Sequence, residues 1–437
     1  MSPYYFSLVF LLALALSTAL RLWLDVRHLR HVAAHRERVP DTFVGRIDLA
    51  DHRKAADYTV AKVRLGLLEI VIDALLLLLL TLGGGLALID QALRGMLGGG
   101  YLHGLALFAC VAVLGFFIGL PASLYRTFHI EARFGFNKLT WPLWFADLAK
   151  GAVLTAAIGG PLLLAVLWLM DAMGTQWWLY VWLVWLGTNL LLLFLYPTVI
   201  APLFNKFTPL ADAALKTRIE ALLQRCGFAS SGLFVMDGSK RSAHGNAYFT
   251  GFGRAKRIVF FDTLLEKLAP EEIEAVLAHE LGHFKHRHVV KRIALSAVLS
   301  LAFLWLLGQL MGQTWFFAGL GVGAGGTAMA LLLFSMVLPV FLFPLAPLTS
   351  ALSRRHEYEA DAYAAQQTAA ADLIAALVKL YRDNAATLTP DPLHSLFHDS
   401  HPPASQRIAR LQSVERKNYA PPRSHSFAAP QGGVCLP

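Results

Sequence analysis

Apolar residues gather into seven runs, at about residues 3–24, 65–89, 102–124, 152–170, 177–200, 293–311 and 322–345. Each approaches the ~20 residues with which a helix crosses a bilayer, so the pattern predicts seven transmembrane helices. The first run is interrupted only by Arg21 near its end, where a long side chain reaches the interface. Residues 1–5 lack a basic n-region and no small-residue cleavage site follows, so the run reads as a retained anchor rather than a signal peptide. Glu69, Asp73 and Asn189 fall inside the runs, and a polar group at such depth points to a partner or a water-filled cavity. For Glu69 and Asp73, near one end of their run, an interfacial position is the alternative.

Two polar blocks, 205–292 and 350–437, each follow a run. In the first, residues 196–207 end the fifth run with paired prolines. Residues 211–226 then place Leu215, Ile219, Leu222 and Leu223 on one face of a helix, with Gly227 as its stop. Short β-rich runs at 232–236, 247–252 and 257–261, with a turn at 251–253, predict a small antiparallel sheet. Pro270 opens a further helix whose first turn carries Glu271, Glu272 and Glu274, suited to the positive end of its dipole.

Composition sharpens this picture. The 437 residues are 56% hydrophobic and only 15% charged, with a mean hydropathy of +0.52, which excludes an ordinary soluble protein. The net charge of +9 reads as topology and not as a nucleic-acid partner. Arg27, Arg30, Arg36, Arg38, Arg46, Arg53, Lys54, Lys62 and Arg64 separate the first two runs; Arg126, Arg133, Lys138 and Lys150 separate the third from the fourth. The alternate connections carry only Arg94. Both basic loops are therefore expected in the cytoplasm, with the N-terminus outside and both polar blocks inside. Cys110, Cys226 and Cys435 have no paired-ligand spacing and offer no disulfide framework.

The candidate chemistry lies on the helix opened by Pro270, in His279-Glu280-Leu281-Gly282-His283. Four residues advance a helix by ~400°, so both imidazoles emerge from one face, as chelation of zinc requires. Glu280 points aside, in position to act as general base on a metal-bound water. Catalytic zinc takes a third protein ligand, and Glu357, in the second block, is the candidate. Asp361, one turn on, is placed to accept the free N–H of a ligating imidazole, and Ala360 is small enough for close helix approach. Arg354 and Arg355 are candidates to neutralise the cluster of Glu357, Glu359 and Asp361. His286 and His288, among Lys285, Arg287, Lys291 and Arg292, read as a solvated or headgroup-facing surface.

These motifs, with residues 134–138 (FGFNK), 201–207 (APLFNKF), 246–251 (NAYFTG) and 400–403 (SHPP), resemble the type I CAAX prenyl endopeptidases, membrane zinc proteases of the gluzincin group. The resemblance covers nearly the whole chain. It implies a mainly α fold: a polytopic membrane protein whose seven transmembrane helices enclose a chamber, plus a small α+β gluzincin-type zinc protease domain on the cytoplasmic side. The corresponding divisions are 1–204 (spans one to five), 205–292 (first part of the protease domain), 293–349 (spans six and seven) and 350–437 (its second part). By motif match, His279, His283 and Glu357 are the ligands of one Zn2+ and Glu280 is the base. Asn246 and Ala247 fall in an edge strand that pairs with substrate, and His401 is a candidate donor to the oxyanion. Alternatives are a turn role for Asn246 and a packing role for His401.

The expected activity is hydrolysis, by zinc-activated water, near the C-terminus of prenylated CAAX-type or other membrane-associated peptides. The expected partners are that substrate and the bilayer, with a monomeric chain and no nucleic acid. The membrane would be the cell membrane in a bacterium and the endoplasmic reticulum in a eukaryote. The final residues 432–437 put Cys435 third from the end and so form no prenylation signal. A quality-control protease of the HtpX kind shares the zinc motifs but is expected to have about four spans. A transporter or receptor with a structural metal would leave Glu280 without a task.

Overall fold

The computed structural model describes residues 1–250, 257–323 and 325–419. Phe252, the expected turn at 251–253 and the tail bearing Cys435 lie outside the described residues. Long helices dominate. Helix α1 (Pro3–Ala34) starts at Ser2, whose hydroxyl accepts the Tyr5 N–H at 3.4 Å. Helices α2 (Leu49–Leu80) and α3 (Gly85–Leu97) form one bent pair, broken by 52°. Then come α4 (Tyr101–Leu124), α5 (Trp141–Leu154), α6 (Gly160–Ala172) and α7 (Trp177–Leu195). Helices α8 (Ala213–Cys226), α9 (Pro270–Lys285), α10 (His288–Leu310), α11 (Thr327–Leu342), α12 (Ala346–Gln367), α13 (Ala370–Asp383), α14 (Pro392–His398) and α15 (Ala404–Tyr419) follow, with single helical turns between some of them.

Among the described residues, six helical segments are long and apolar enough to cross a membrane, and the bent pair makes up to seven. That is more than the four expected of the HtpX kind. Leu79, Leu102, Val153 and Val298 are each more than half exposed, as lipid-facing side chains are, while Phe10, Leu167, Leu307 and Leu333 fill the bundle interior.

The second span departs from the expected run of 65–89, because the helix ends at Leu80 and a new one starts at Gly85. Gly84 has φ of +78°, and a Cβ on Gly83 would lie 2.7 Å from the Leu79 carbonyl oxygen, so only glycines fit this break. The prolines of 196–207 do not stop the fifth span either. Residues Tyr196–Ile200 form a π turn that accommodates Pro197, and helix continues to Phe204. Asp73 lines a cavity of about 280 Å³ with Ser17 and Arg21, whereas Glu69 pairs with Arg126 at 2.5 Å, and the Asn189 amide donates to the Trp185 carbonyl.

The sheet is mixed, not antiparallel. Strand β1 (Phe207–Pro209), β2 (Gly232–Met236), β3 (Ala247–Thr250) and β4 (Arg257–Phe261) lie in the order β1-β2-β4-β3. Residues 237–246 carry the chain past β4 to the outer edge, so that β4 lies antiparallel to β3 and parallel to β2. Helix α8 is capped by Asp212, which accepts the Leu215 N–H at 3.0 Å, and stopped by Gly227 at φ +69°. Its Arg218 and Arg225 hold the buried Glu274 of α9. One apolar core joins this sheet to α8, α9, α13 and α15, and Phe43 and Ile47 from the loop after α1 are buried in it.

Two continuities position the site. His286 and Arg287, the latter at φ +56°, are the whole joint between α9 and α10, and α11 runs through a short 3-10 turn into α12. Two membrane spans thus extend directly into helices that pack together. The packing is close because Gly282 faces Ala360: a Cβ on Gly282 would meet the Ala360 Cα at 2.9 Å and its carbonyl oxygen at 3.0 Å. Gly282→Ala is therefore expected to destabilise the protein by about 1–3 kcal/mol through overpacking. Thermal unfolding in detergent checks it, and an unchanged midpoint would contradict the close approach.

Candidate metal centre

Helix α9 starts with Pro270 in its first turn, and the Ala269 N–H donates to Glu272 at 2.8 Å, fixing the turn that leads to the motif. One turn apart on this helix, His279 Nε2 and His283 Nε2 lie 3.2 Å from each other. From α12 the Glu357 carboxylate approaches both, Oε2 at 3.4 Å from His279 Nε2 and Oε1 at 3.4 Å from His283 Nε2. His279 and Glu357 are buried, and Glu357 Oε2 has no hydrogen-bond partner among the described residues. Two imidazole nitrogens and an orphaned carboxylate oxygen converging on one point fit a divalent metal ion of the zinc class.

The surrounding groups orient these three. Asp361 Oδ1 lies 2.8 Å from His279 Nδ1, which turns the Nε2 lone pair toward the convergence point. Asp361 is itself clamped by Arg407 of α15, through Nε at 2.8 Å and Nη2 at 2.6 Å, and Arg407 Nη1 stands 3.7 Å from Glu357. Burial opposes the charges on His279, Glu357 and Asp361. For His279, contacts with Asp361 and Glu357 outweigh burial and raise its pKa above the ordinary imidazole value. For Glu357, the nearby imidazoles of His279 and His283 outweigh it and hold the carboxyl well below the usual range. Arg407 and His279 do the same for Asp361.

Two sequence readings are corrected here. His288 is buried, not solvated: its Nδ1 lies 2.9 Å from His283 Nδ1 and its Nε2 3.0 Å from Glu359. Glu359 therefore faces His288 and Arg355, away from the convergence point. Arg354 neutralises nothing in the cluster; its guanidinium donates to the carbonyls of Ser395 and Asp399. Arg407 supplies that charge, and no local motif announced it, since it is one arginine of an amphipathic helix whose register only packing reveals.

Glu280 lines a cavity of about 720 Å³ that also contains His283 and Glu357. His401 lies on its rim, exposed, with Nε2 3.4 Å from Glu357 Oε1 and Nδ1 3.0 Å from Ser400 Oγ. Asn246 precedes the edge strand β3, and its side-chain oxygen accepts the Ala247 N–H at 2.9 Å. Among the described residues no hydrogen bond joins Asn246 or Ala247 to the convergence point; Tyr248 and Phe249 of the same strand reach the cavity wall. The FGFNK segment braces this approach, with Phe136 stacked on His244 at 4.3 Å, and beside it Arg241 pairs with Asp147 and bonds Asn205 at 2.9 Å.

Residues 28–206 match the family model described as the CAAX prenyl protease N-terminal region with five membrane helices, and residues 209–415 match that of peptidase family M48. CAAX prenyl protease 1 of Saccharomyces cerevisiae is 39% identical over 69% of this chain and 70% of its own. The homologue from Caenorhabditis elegans is 31% identical over 94% of this chain and 99% of its own. The crystal structure of S. mikatae Ste24p superposes with a TM-score of 0.85 at 32% identity, covering 93% of this chain and 98% of that one.

Asp361→Asn, which breaks the Arg407 clamp and the bond to His279, is expected to weaken metal binding about 10- to 100-fold. Competition with a chromophoric chelator measures it, and unchanged affinity would remove Asp361 from the support of His279. Because the metal-free site favours charged His279, protons compete with the metal above the ordinary imidazole range. Affinity should therefore climb with pH through that range, and a flat profile would contradict the raised His279 pKa.

Proposed function

The chain belongs to the CAAX prenyl protease family within peptidase family M48 and is an integral-membrane metalloendopeptidase; we propose that it cleaves near the C-terminus of prenylated CAAX-type or other membrane-associated peptides. The observation that carries this reading is the convergence of His279, His283 and Glu357, with Glu280 lining the same cavity as His283 and Glu357. These three residues hold one zinc ion per chain, and bound there it would acidify a water molecule and polarise the scissile carbonyl. Glu280 takes the proton of the attacking water and returns it to the departing amine. His401 donates to the carbonyl oxygen as negative charge develops there. Asp361 holds His279 in the ligating tautomer.

Substrate enters as an extended strand. The free edge of β3, starting at Asn246 and Ala247, accepts a peptide backbone by strand addition. Leu295, Leu299 and Phe303 of the sixth span line the same cavity as Glu280, so an apolar chain attached near the scissile bond lies against hydrocarbon-like surface. The basic loops after the first and third spans support a cytoplasmic position for the metal centre, at the cell membrane or the endoplasmic reticulum, and the chain is proposed to act as a monomer.

Glu280→Gln is expected to retain zinc and lose peptidase activity by about 100- to 10,000-fold; turnover at the wild-type rate would sink its role as base. One peptide assayed with and without an isoprenoid on its cysteine, with chelator as control, tests the substrate. Faster cleavage of the prenylated form supports CAAX processing, and equal rates would shift the assignment to membrane-associated peptides in general.

A further inference from the structure

Away from the metal centre, the described residues bring together one other group of histidine and carboxylate side chains whose ligand atoms lie within 4.8 Å of one another: Asp25 of α1 with His394 and His398 of α14. We propose that these three side chains bind a second divalent transition-metal ion of the zinc class, which clasps the first membrane span to the segment leading to His401.

The spacing supports chelation. His394 and His398 are four residues apart on one helix, so their rings rise from the same face and stack with centroids 4.2 Å apart. The tautomer of His398 is set: its Nδ1 lies 3.1 Å from the His394 carbonyl, which only accepts, so Nδ1 carries the proton and Nε2 presents its lone pair. His394 is held between His398 and the buried His28, whose ring stacks on it at 4.0 Å. Of its two nitrogens, Nε2 faces Asp25 Oδ1 at 3.3 Å, and Nδ1 is buried without a hydrogen-bond partner. The nitrogen on the Asp25 side, Nε2, is therefore the ligand atom of His394, and a cation there draws both rings and the carboxylate together.

The donor set selects the ion. Two imidazoles and one carboxylate suit Zn2+ or Co2+, whereas Ca2+ and Mg2+ prefer oxygen ligands throughout and Cu(I) prefers sulfur. Asp25 and His394 are partly buried and His398 is exposed, so the ion enters from solvent.

The place in the fold gives the site its consequence. Helix α14 already rests on α12, through Ser350 Oγ donating to the Phe397 carbonyl at 3.1 Å and Arg354 donating to Ser395 at 3.1 Å. It also meets α1 where Arg27 pairs with the buried Asp391 at 2.9 Å. His401 follows α14 by three residues and stands against Glu357. An ion at Asp25, His394 and His398 therefore fixes the loop that presents His401, without touching the metal centre itself.

The experiment uses tag-free, full-length protein in detergent, stripped with chelator and titrated with Zn2+, and separately with Co2+ to read ligand-field absorption. Wild type is expected to take up two equivalents. His283→Ala combined with Glu357→Ala should keep one, and adding His398→Ala to that pair should abolish it together with the remaining Co2+ spectrum. Asp25→Asn in the same background, a change that leaves the side-chain volume intact, should weaken the retained equivalent at least tenfold. Absence of metal uptake by the His283→Ala, Glu357→Ala variant, or an equivalent that survives both His398→Ala and Asp25→Asn, would overturn the proposal. Because the readings in the His283→Ala, Glu357→Ala background count metal at Asp25, His394 and His398 alone, they stand or fall separately from the peptidase assignment.

Discussion

The contact of Gly282 with Ala360 sets the distance between the two helices that carry the converging side chains, and their convergence depends on that distance. His279 and His283 project from α9 and Glu357 from α12; their nitrogen and oxygen atoms meet at 3.2–3.4 Å only because the backbones touch where neither helix has a bulky side chain. A single added methyl group would have to push against the Ala360 backbone, which has no rotamer with which to yield. The same glycine that lies inside the His279–His283 motif is thus the packing residue that brings the third side chain within reach.

Around that contact sits a set of charges that would be unfavourable if separated. His279, Glu357, Asp361 and Arg407 are all buried, and each is compensated by another member of the set. A buried ion network of this sort contributes little net stability, because desolvation of the charges offsets their attraction. Its effect is positional. Arg407 fixes Asp361, Asp361 fixes the tautomer of His279, and the ring nitrogen left over faces the point where His283 and Glu357 also aim. On the other flank, Glu359 and His288 brace His283 in the same way.

Membrane and protease elements are one structure. The helix bearing His279 turns into the sixth span at Arg287, and the helix bearing Glu357 is the prolongation of the last span. Loops between spans also enter the protease scaffold, with Phe43 and Ile47 buried in its core and Phe136 stacked on His244 ahead of β3. One cavity is consequently lined both by Glu280 and His283 and by the apolar side chains of a span.

The sequence by itself determined what short-range pattern encodes. Apolar runs of bilayer length specify spanning helices, and the i, i+4 spacings of His279 with His283 and of Glu357 with Asp361 place each pair on one helix face. Gly227 ends its helix because only that backbone conformation closes the turn. Tertiary structure decided everything that needs two distant segments to meet. The parallel pairing of β2 with β4 depends on where residues 237–246 travel, and a hairpin-like pattern of β runs contains no record of that path. The break after Leu80 and the π turn at Pro197 depend on how glycine and proline are accommodated by neighbours, not on hydropathy. His288 looked like one basic surface residue among several and is buried because α12 covers it; Arg407 looked like any arginine of an amphipathic helix and is the counter-charge of Asp361. Periodicity is a property of consecutive residues, whereas burial and charge pairing belong to neighbours that folding brings together.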